Sequence, residues 1–256
     1  MNNFACRVLT ARTGQTHIFA VGQAGYIIKS AEGCLLAIDL YLSECVERFE
    51  GHKGFKRLLP QILNPYELEF DYIVCTHAHL DHFDVDAVPG MISNGRTKLL
   101  CSVNCAELIK QLQMKYHENQ IVYVKPGDEC NAGDFHIHFV NCDHGVAAPD
   151  AFGVDINVDG KRIYDTGDTC LRLDRIHEII TTGAVDMLIA PINGTYGNLN
   201  EEECCCLAKA LQPSITVPCH YGMFASHHGD VGRFYHLMTE KGLPMLLMRQ
   251  GEMYTL

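Results

Sequence analysis

The segment Thr76-His77-Ala78-His79-Leu80-Asp81-His82 gathers three imidazoles and a carboxylate into one short stretch. Neutral imidazole nitrogens and carboxylate oxygens are the ordinary protein ligands of divalent transition metals. Local order sharpens the reading. The apolar run Asp71-Tyr72-Ile73-Val74-Cys75 just upstream predicts a buried strand, so the motif falls where that strand runs out into a loop. While the chain stays extended, His77 and His79 project to the same side, and Asp81 and His82 follow where it turns. With 14 histidines in 256 residues, H-x-H-x-D-H arises by chance at roughly 10⁻⁵ per window, so coincidence is a weak rival.

One loop cannot fill the shells of two ions, and the sequence offers further ligands at the ends of other strand-like runs. His144 follows Phe135–Val140, Asp168 lies in Asp165-Thr166-Gly167-Asp168-Thr169 after Arg162-Ile163-Tyr164, and His220 follows Ile215-Thr216-Val217-Pro218-Cys219. Layered α/β proteins build their sites at the carboxyl ends of strands, where loops converge. Asp165 competes with Asp168 for a metal-facing role. Asp168 is favoured because it lies beyond the glycine, where the chain has left the strand.

The elements that must position these groups are also legible. Gly25–Lys29 and Cys34–Asp39, joined through Ala31-Glu32-Gly33, predict one hairpin. Phe152, Val154, Ile156 and Val158 alternate before Asp159-Gly160, and Arg162-Ile163-Tyr164 returns, which predicts another. The spacing of Cys105, Leu108, Ile109, Leu112 and Tyr116 predicts a helix over 105–116, and Leu173, Ile176, Ile179 and Ile180 predict a second over 172–182 ending at Gly183. Asn200 before Glu201-Glu202-Glu203 reads as a capped helix start that continues through Leu211. Apolar runs near 71–75, 185–190 and 215–219 read as buried strands. Sheets covered by helices follow from this mixture, in one domain of layered α/β class spanning 1–256.

Composition narrows the partners. Twenty Lys and Arg against 31 Asp and Glu leave a net charge of −11, which argues against nucleic acid, since such binding runs on phosphate neutralisation. The first residues lack a basic segment followed by an apolar one, and no apolar run reaches the ~18 residues of a membrane helix, so a cytoplasmic protein without membrane contact is expected. The thirteen cysteines form no C-x-x-C pair and read as reduced, structural thiols. Cys204, Cys205 and Cys206 are consecutive in a helical pattern, so their side chains diverge by about 100° and are poorly placed to share an ion.

Other polar residues carry weaker signals. His136 and His138 share a strand face and read as solvated or hydrogen-bonded rather than as ligands. Asn193 and Tyr196, after a strand end, and His227 and His228, after His220, are candidates for contact with an anionic small-molecule substrate, though ordinary loop roles suit them as well. Cys219 points opposite to His220 and reads as core.

The order H-x-H-x-D-H, a lone histidine, an aspartate in D-T-G-D-T and a late histidine resembles the metallo-β-lactamase superfamily. The resemblance implies a four-layered αββα sandwich with a dinuclear metal site. Carried over by motif, His77, His79 and His144 would hold one ion, Asp81, His82 and His220 the other, and Asp168 would bridge them. Asp39, ending an early strand, would support a ligand from behind. Segments 191–198 and 217–224 resemble the L-ascorbate-6-phosphate lactonase group, which implies a phosphorylated sugar-acid lactone as substrate and manganese as metal; the superfamily at large implies zinc, and the donor set also suits iron. Two divalent cations would lower the pKa of a bridging water towards roughly 7 and supply hydroxide. Asp81 would orient that nucleophile and handle its proton. A phosphodiesterase or nuclease of the same fold, and a silent metal-binding sensor module, are the competing readings; a homo-oligomer is compatible with any of them.

Overall fold

A computed structural model gives the structure of residues 3–146 and 148–256. The first sheet comprises β1 (His17–Gly22), β2 (Gly25–Lys29), β3 (Leu35–Ile38), β4 (Tyr72–Cys75), β5 (Lys98–Ser102) and β6 (Ile121–Val124) in that spatial order. The second comprises β7 (Glu129–Ala132), β8 (Phe135–Asn141), β9 (Phe152–Val158), β10 (Lys161–Asp165), β11 (Met187–Pro191) and β12 (Ile215–Cys219). A last strand, β13 (Met253–Thr255), returns to the first sheet and pairs antiparallel with β1. Each sheet is mixed. β3 to β6 run parallel, as do β10 to β12, while hairpin-connected strands fill the other half of each sheet.

Alternation along the strands builds three cores. Ile18, Ile28, Ile38, Val74 and Leu100 face the second sheet and meet Ile137, Phe139, Val154, Ile163, Ile189 and Val217. Their chain neighbours Phe19, Ile27, Ala37, Ile73 and Leu99 face the other way. They pack under α1 (Asn3–Thr10), α2 (Cys45–Glu50), α3 (Val88–Met91) and α4 (Cys105–Gln111). On the far side, Tyr164, Leu188 and Ala190 pack under α5 (His177–Ile180), α6 (Glu201–Leu211) and α7 (Val231–Glu240). Successive strand residues point to opposite faces, so strands buried on both faces read as unbroken apolar runs. The four-layered αββα sandwich implied by the motif order is the architecture observed.

Both hairpins form. Asp159 and Gly160 have φ of 52° and 74°, the doubly left-handed turn that matches strand twist. The Asn200 side chain accepts from the Glu203 amide while Glu203 reaches back to the Asn200 amide, a reciprocal cap worth about 1 kcal/mol. Two helices are shorter than their spacing predicts. α4 ends at Gln111 because Gln113 turns left-handed at φ 49°, and Tyr116 is left half exposed. Over 172–182 the chain makes a 3₁₀ turn at Leu173–Arg175 and then the single turn of α5. Arg172 is drawn off to Asp143 and Asp174, and the buried Arg162 guanidinium takes the carbonyls of Ile179 and Gly183. All thirteen cysteines are free thiols; Cys204 and Cys205 are buried in the outer core and Cys206 is exposed. Among the described residues no helix is long and apolar enough to cross a membrane.

The two sheets are stitched together at one edge, at the carboxyl ends of β3, β4, β10, β11 and β12. There the Phe152 amide donates to the Thr76 carbonyl at 3.4 Å, and the His220 amide to the Gln23 carbonyl at 3.1 Å. Gly167 makes the close turn out of β10 possible. Its φ is 59°, and a Cβ there would lie 2.6 Å from the Phe152 carbonyl oxygen. Gly167→Ala is therefore expected to destabilise the protein by at least about 2 kcal/mol, read as a lower urea midpoint at unchanged slope.

Candidate metal centre

The stitched edge brings the strand-end residues together. Thr76, the first residue after β4, is fully buried and donates its amide and its hydroxyl to the Asp39 carboxylate at 2.8 and 2.6 Å. With its proton committed to Asp39, the Thr76 hydroxyl oxygen accepts from His77 Nδ1 at 3.0 Å, which turns the His77 Nε2 lone pair towards the cluster. Asp39 Oδ2 also lies 2.7 Å from His82 Nδ1 and accepts its proton, leaving His82 Nε2 to face inward. Asp39 thus orients the motif loop from behind, without itself facing the centre. Buried Asp84, three residues past the motif's first carboxylate, is spent on the amides of Leu42, Ser43, Asp86 and Ala87 and anchors the loop's far end.

Three groups of donor atoms result, each drawn within 4.8 Å. His77, His79 and His144 form one; Asp81, His82 and His220 form another; His77, His82 and Asp168 form a third that overlaps both. Asp168 spans the centre, with Oδ1 at 2.7 Å from His220 Nε2 and 3.4 Å from His82 Nε2, and Oδ2 at 3.6 Å from His144 Nε2. Asp165 does not share this position. It is buried beneath the turn, its Oδ1 accepts the Gly167 amide, and burial together with the Asp39 charge pushes its pKa up to about 7.

The donor atoms are poorly satisfied by one another. His77 Nε2 and His144 Nε2 lie 2.9 and 3.1 Å from the same atom, His79 Nδ1. His82 Nε2, His220 Nε2, Asp168 Oδ1 and His144 Nδ1 are buried with no directed hydrogen bond, although His220 and Asp168 approach closely. A buried polar atom without a partner costs about 1–3 kcal/mol, and several facing each other in one place is the arrangement that a cation resolves. Protonation states agree. Burial first, then neighbouring imidazoles, pushes His77 well below the ordinary imidazole pKa and His144 down to about 4; burial also lowers His79. Neutral imidazole is the form that ligates. His82 is the exception. Burial opposes its charging, but Asp168, Asp39 and Asp81 outweigh burial and raise its pKa; in turn, His220 and His82 overcome burial to hold Asp168 well below the carboxylate range. The donor set therefore fits divalent metal.

A cavity of about 270 Å³ opens above the centre, with His79, Asp81, His144, Asp168 and His220 in its floor. Asn193, Tyr196 and His227 line its walls, as do Phe55 and Lys53 from the segment after α2. His228 does not line it: its Nδ1 faces the Gly229 carbonyl, one residue past the cavity wall. His136 stands exposed on β8 beside Asn131 and Glu129, away from the centre. Two residues of the site were not singled out from the sequence, although Asn198 closes the 191–198 segment. Gln23, in the turn between β1 and β2, donates Nε2 to Asp81 Oδ2 at 2.9 Å and lies 3.0 Å from His220 Nδ1. Asn198 donates Nδ2 to Asp168 Oδ2 at 2.8 Å. The Gly22-Gln23-Ala24-Gly25 turn, opposite Asp39 across antiparallel neighbours, was the available clue to the first.

The sequence pattern of the beta-lactamase superfamily domain matches residues 17–220, from the first residue of β1 to the last of the clustered histidines. The chain belongs to the metallo-β-lactamase superfamily. It is a metal-dependent hydrolase of that superfamily, with a His/Asp cluster able to bind metal. A UPF0173 metal-dependent hydrolase of Carboxydothermus hydrogenoformans is 27% identical to it over 244 residues, covering 92% of this chain and 98% of that protein. Among solved structures, Igni18, a metallo hydrolase of Ignicoccus hospitalis, superposes with a TM-score of 0.69 at 22% identity, over 94% of this chain and 98% of that one. A possible metal-dependent hydrolase of Veillonella parvula superposes with a TM-score of 0.73 at 16% identity, over 96% and 100%.

Two outcomes follow from the hydrogen bonds and protonation states. Asp39→Asn, which removes the acceptor behind His82, is expected to weaken metal binding about 10–100-fold in competition with a chelating dye. The unfolded chain takes up a proton at His144 near pH 6.5, whereas the folded chain does so at about 4. Between those values the unfolded state holds more protons, so metal-free stability falls on acidification through that window. The denaturation midpoint of metal-free protein should drop between about pH 7 and about pH 5, and His144→Gln should drop less.

Proposed function

We propose that this hydrolase holds a pair of divalent cations, manganese or zinc, and opens the lactone ring of a small phosphorylated sugar acid such as L-ascorbate 6-phosphate. The observation that carries the reading is that the group His77, His79 and His144 and the group Asp81, His82 and His220 are linked by a third, in which Asp168 joins His77 and His82, in the floor of a cavity sized for a small molecule. The segments 191–198 and 217–224, on which the lactonase resemblance rests, supply Asn193, Tyr196, Asn198 and His220 to that cavity. Bound there, a cation pair supplies Lewis acidity and an acidified water.

The chain's own residues do the rest. Gln23 holds Asp81 through Oδ2, which leaves Oδ1 to accept a proton from the attacking water. Asp81 then returns that proton to the ring oxygen as the acyl C–O bond breaks, giving a hydroxy acid. Lys53, paired with Glu50 at 2.5 Å and half exposed at the rim, is placed to meet a phosphate tail. Because Glu50 offsets Lys53 locally and the chain carries a net −11, a long polyanion is disfavoured against a small anionic substrate.

Purified protein loaded with manganese or zinc should bind about two ions per chain and open a phosphorylated lactone, and His79→Ala should lose at least about 100-fold in rate. Absence of metal-dependent ring opening above that variant, or hydrolysis of a generic phosphodiester in its place, would overturn the assignment.

A further inference from the structure

A second cavity, of about 350 Å³, shares Gln23 with the cavity above the metal centre and has no other lining residue in common with it. The left-handed turn at His220, with φ 58°, divides the two: His220 lines the first, and Tyr221, the next residue, lines the second. The Gln23 carbonyl accepts the His220 amide at 3.1 Å, and the Gln23 side chain is turned to Asp81 and His220, so the partition is bonded through. The second cavity is a site of its own.

Its wall is mostly carbon. Ala20, Tyr26, Leu59, Pro218, Tyr221 and Met248 line it, and the polar tips among them are engaged with the main chain. The Tyr26 hydroxyl faces the Pro218 carbonyl at 3.5 Å, and the Tyr221 hydroxyl donates to the Met248 carbonyl at 2.7 Å. Gln250 spends its Nε2 on the carbonyls of Val21 and Pro60, both at 3.0 Å. What these side chains have left to offer is two aromatic rings, aliphatic surface and the polarisable sulfur of Met248, a lining that suits an aromatic guest.

One lining group is a cation. Arg249 is exposed, and its guanidinium has no carboxylate partner among the described residues, whereas Arg48, Arg96, Arg162, Arg172 and Arg233 are each paired with one. The neighbouring acid, Glu252, has its Oε2 on the Arg249 main-chain amide at 2.8 Å. Arg7, held on the Gly251 carbonyl at 2.8 Å, places a second positive charge nearby. A guanidinium meets a carboxylate with two parallel hydrogen bonds, and a single one beside an apolar wall matches a single carboxylate on an apolar body.

We propose that this second cavity binds an arylalkanoic acid, with its ring against Tyr26, Tyr221 and Met248 and its carboxylate on Arg249. The volume falls within the range of roughly 300–1,000 Å³ usual for small-molecule sites. The site depends neither on the metal nor on the reaction proposed for the first cavity.

The test uses three probes: 3-phenylpropanoate, 3-phenylpropanamide, which keeps the ring without the charge, and propanoate, which keeps the charge without the ring. Each is titrated into zinc-loaded protein carrying carbon-13 in its methionine methyls, with the Met248 signal assigned through Met248→Leu. 3-Phenylpropanoate should shift the Met248 methyl saturably, through its ring current, and bind at least about fivefold more tightly than the amide. Propanoate should leave that methyl where it is. Arg249→Gln should remove the preference for the acid, and Leu59→Trp, which narrows the cavity, should weaken both ring-bearing probes. His79→Ala, altered at the metal centre alone, should bind the acid as wild type does. An unmoved Met248 methyl, equal binding of acid and amide, or a preference that survives in Arg249→Gln would overturn the proposal. So would loss of acid binding in His79→Ala, which would put the carboxylate on the metal centre instead.

Discussion

Imidazoles and carboxylates packed against one another, largely buried beneath a cavity, cannot satisfy themselves through hydrogen bonds alone. This frustration organises the edge of the molecule. His77, His79 and His144 are kept uncharged first by burial and then by neighbouring imidazoles, while His82 and Asp168 hold each other in charged form. Such a collection would relax by turning its side chains away unless each were held from behind. Asp39 and Thr76 grip the motif loop, Gln23 grips Asp81, and Asn198 grips Asp168. The supporting groups are uncharged or fully engaged, so they fix geometry without neutralising the electrostatic demand for a cation.

The sandwich makes that concentration affordable in folding terms. Two sheets with apolar faces on both sides place the stabilising burial in three cores, leaving one edge where the chain can tolerate unpaired polar atoms. Donors from the first sheet, His77 to His82, meet donors from the second, His144, Asp168 and His220, only because strand ends from both sheets converge and their backbones bond across the seam. Neither sheet alone carries a complete set of groups.

Much of this was legible beforehand because periodicity and turn chemistry are local. Alternation gave the hairpins, Asn200 and Glu203 gave a helix start, and H-x-H-x-D-H at a strand end gave the centre's core. What was not legible depends on neighbours distant in sequence. The helix predicted over 172–182 shrank because Arg162, from a different strand, captured its carbonyls. Gln23 and Asn198 are unremarkable residues in loops until tertiary structure puts them beside Asp81 and Asp168. His227 and His228 were equal candidates in sequence, and only the left-handed turn at His227, with φ 61°, and its stacking on Phe55 separate them.

The rim of the cavity is built differently from its floor. Segments 54–58 and 223–227 are joined as a short ribbon by backbone groups, the Leu58 amide donating to Met223 and the Ala225 amide to Lys56, each at 2.8 Å. Main-chain attachment of this kind is indifferent to which side chains the ribbon carries. Exchanges at Phe55 can therefore accumulate over evolutionary time while the hydrolytic apparatus below stays intact, and descendants of one ancestor can diverge in diet without relearning their chemistry.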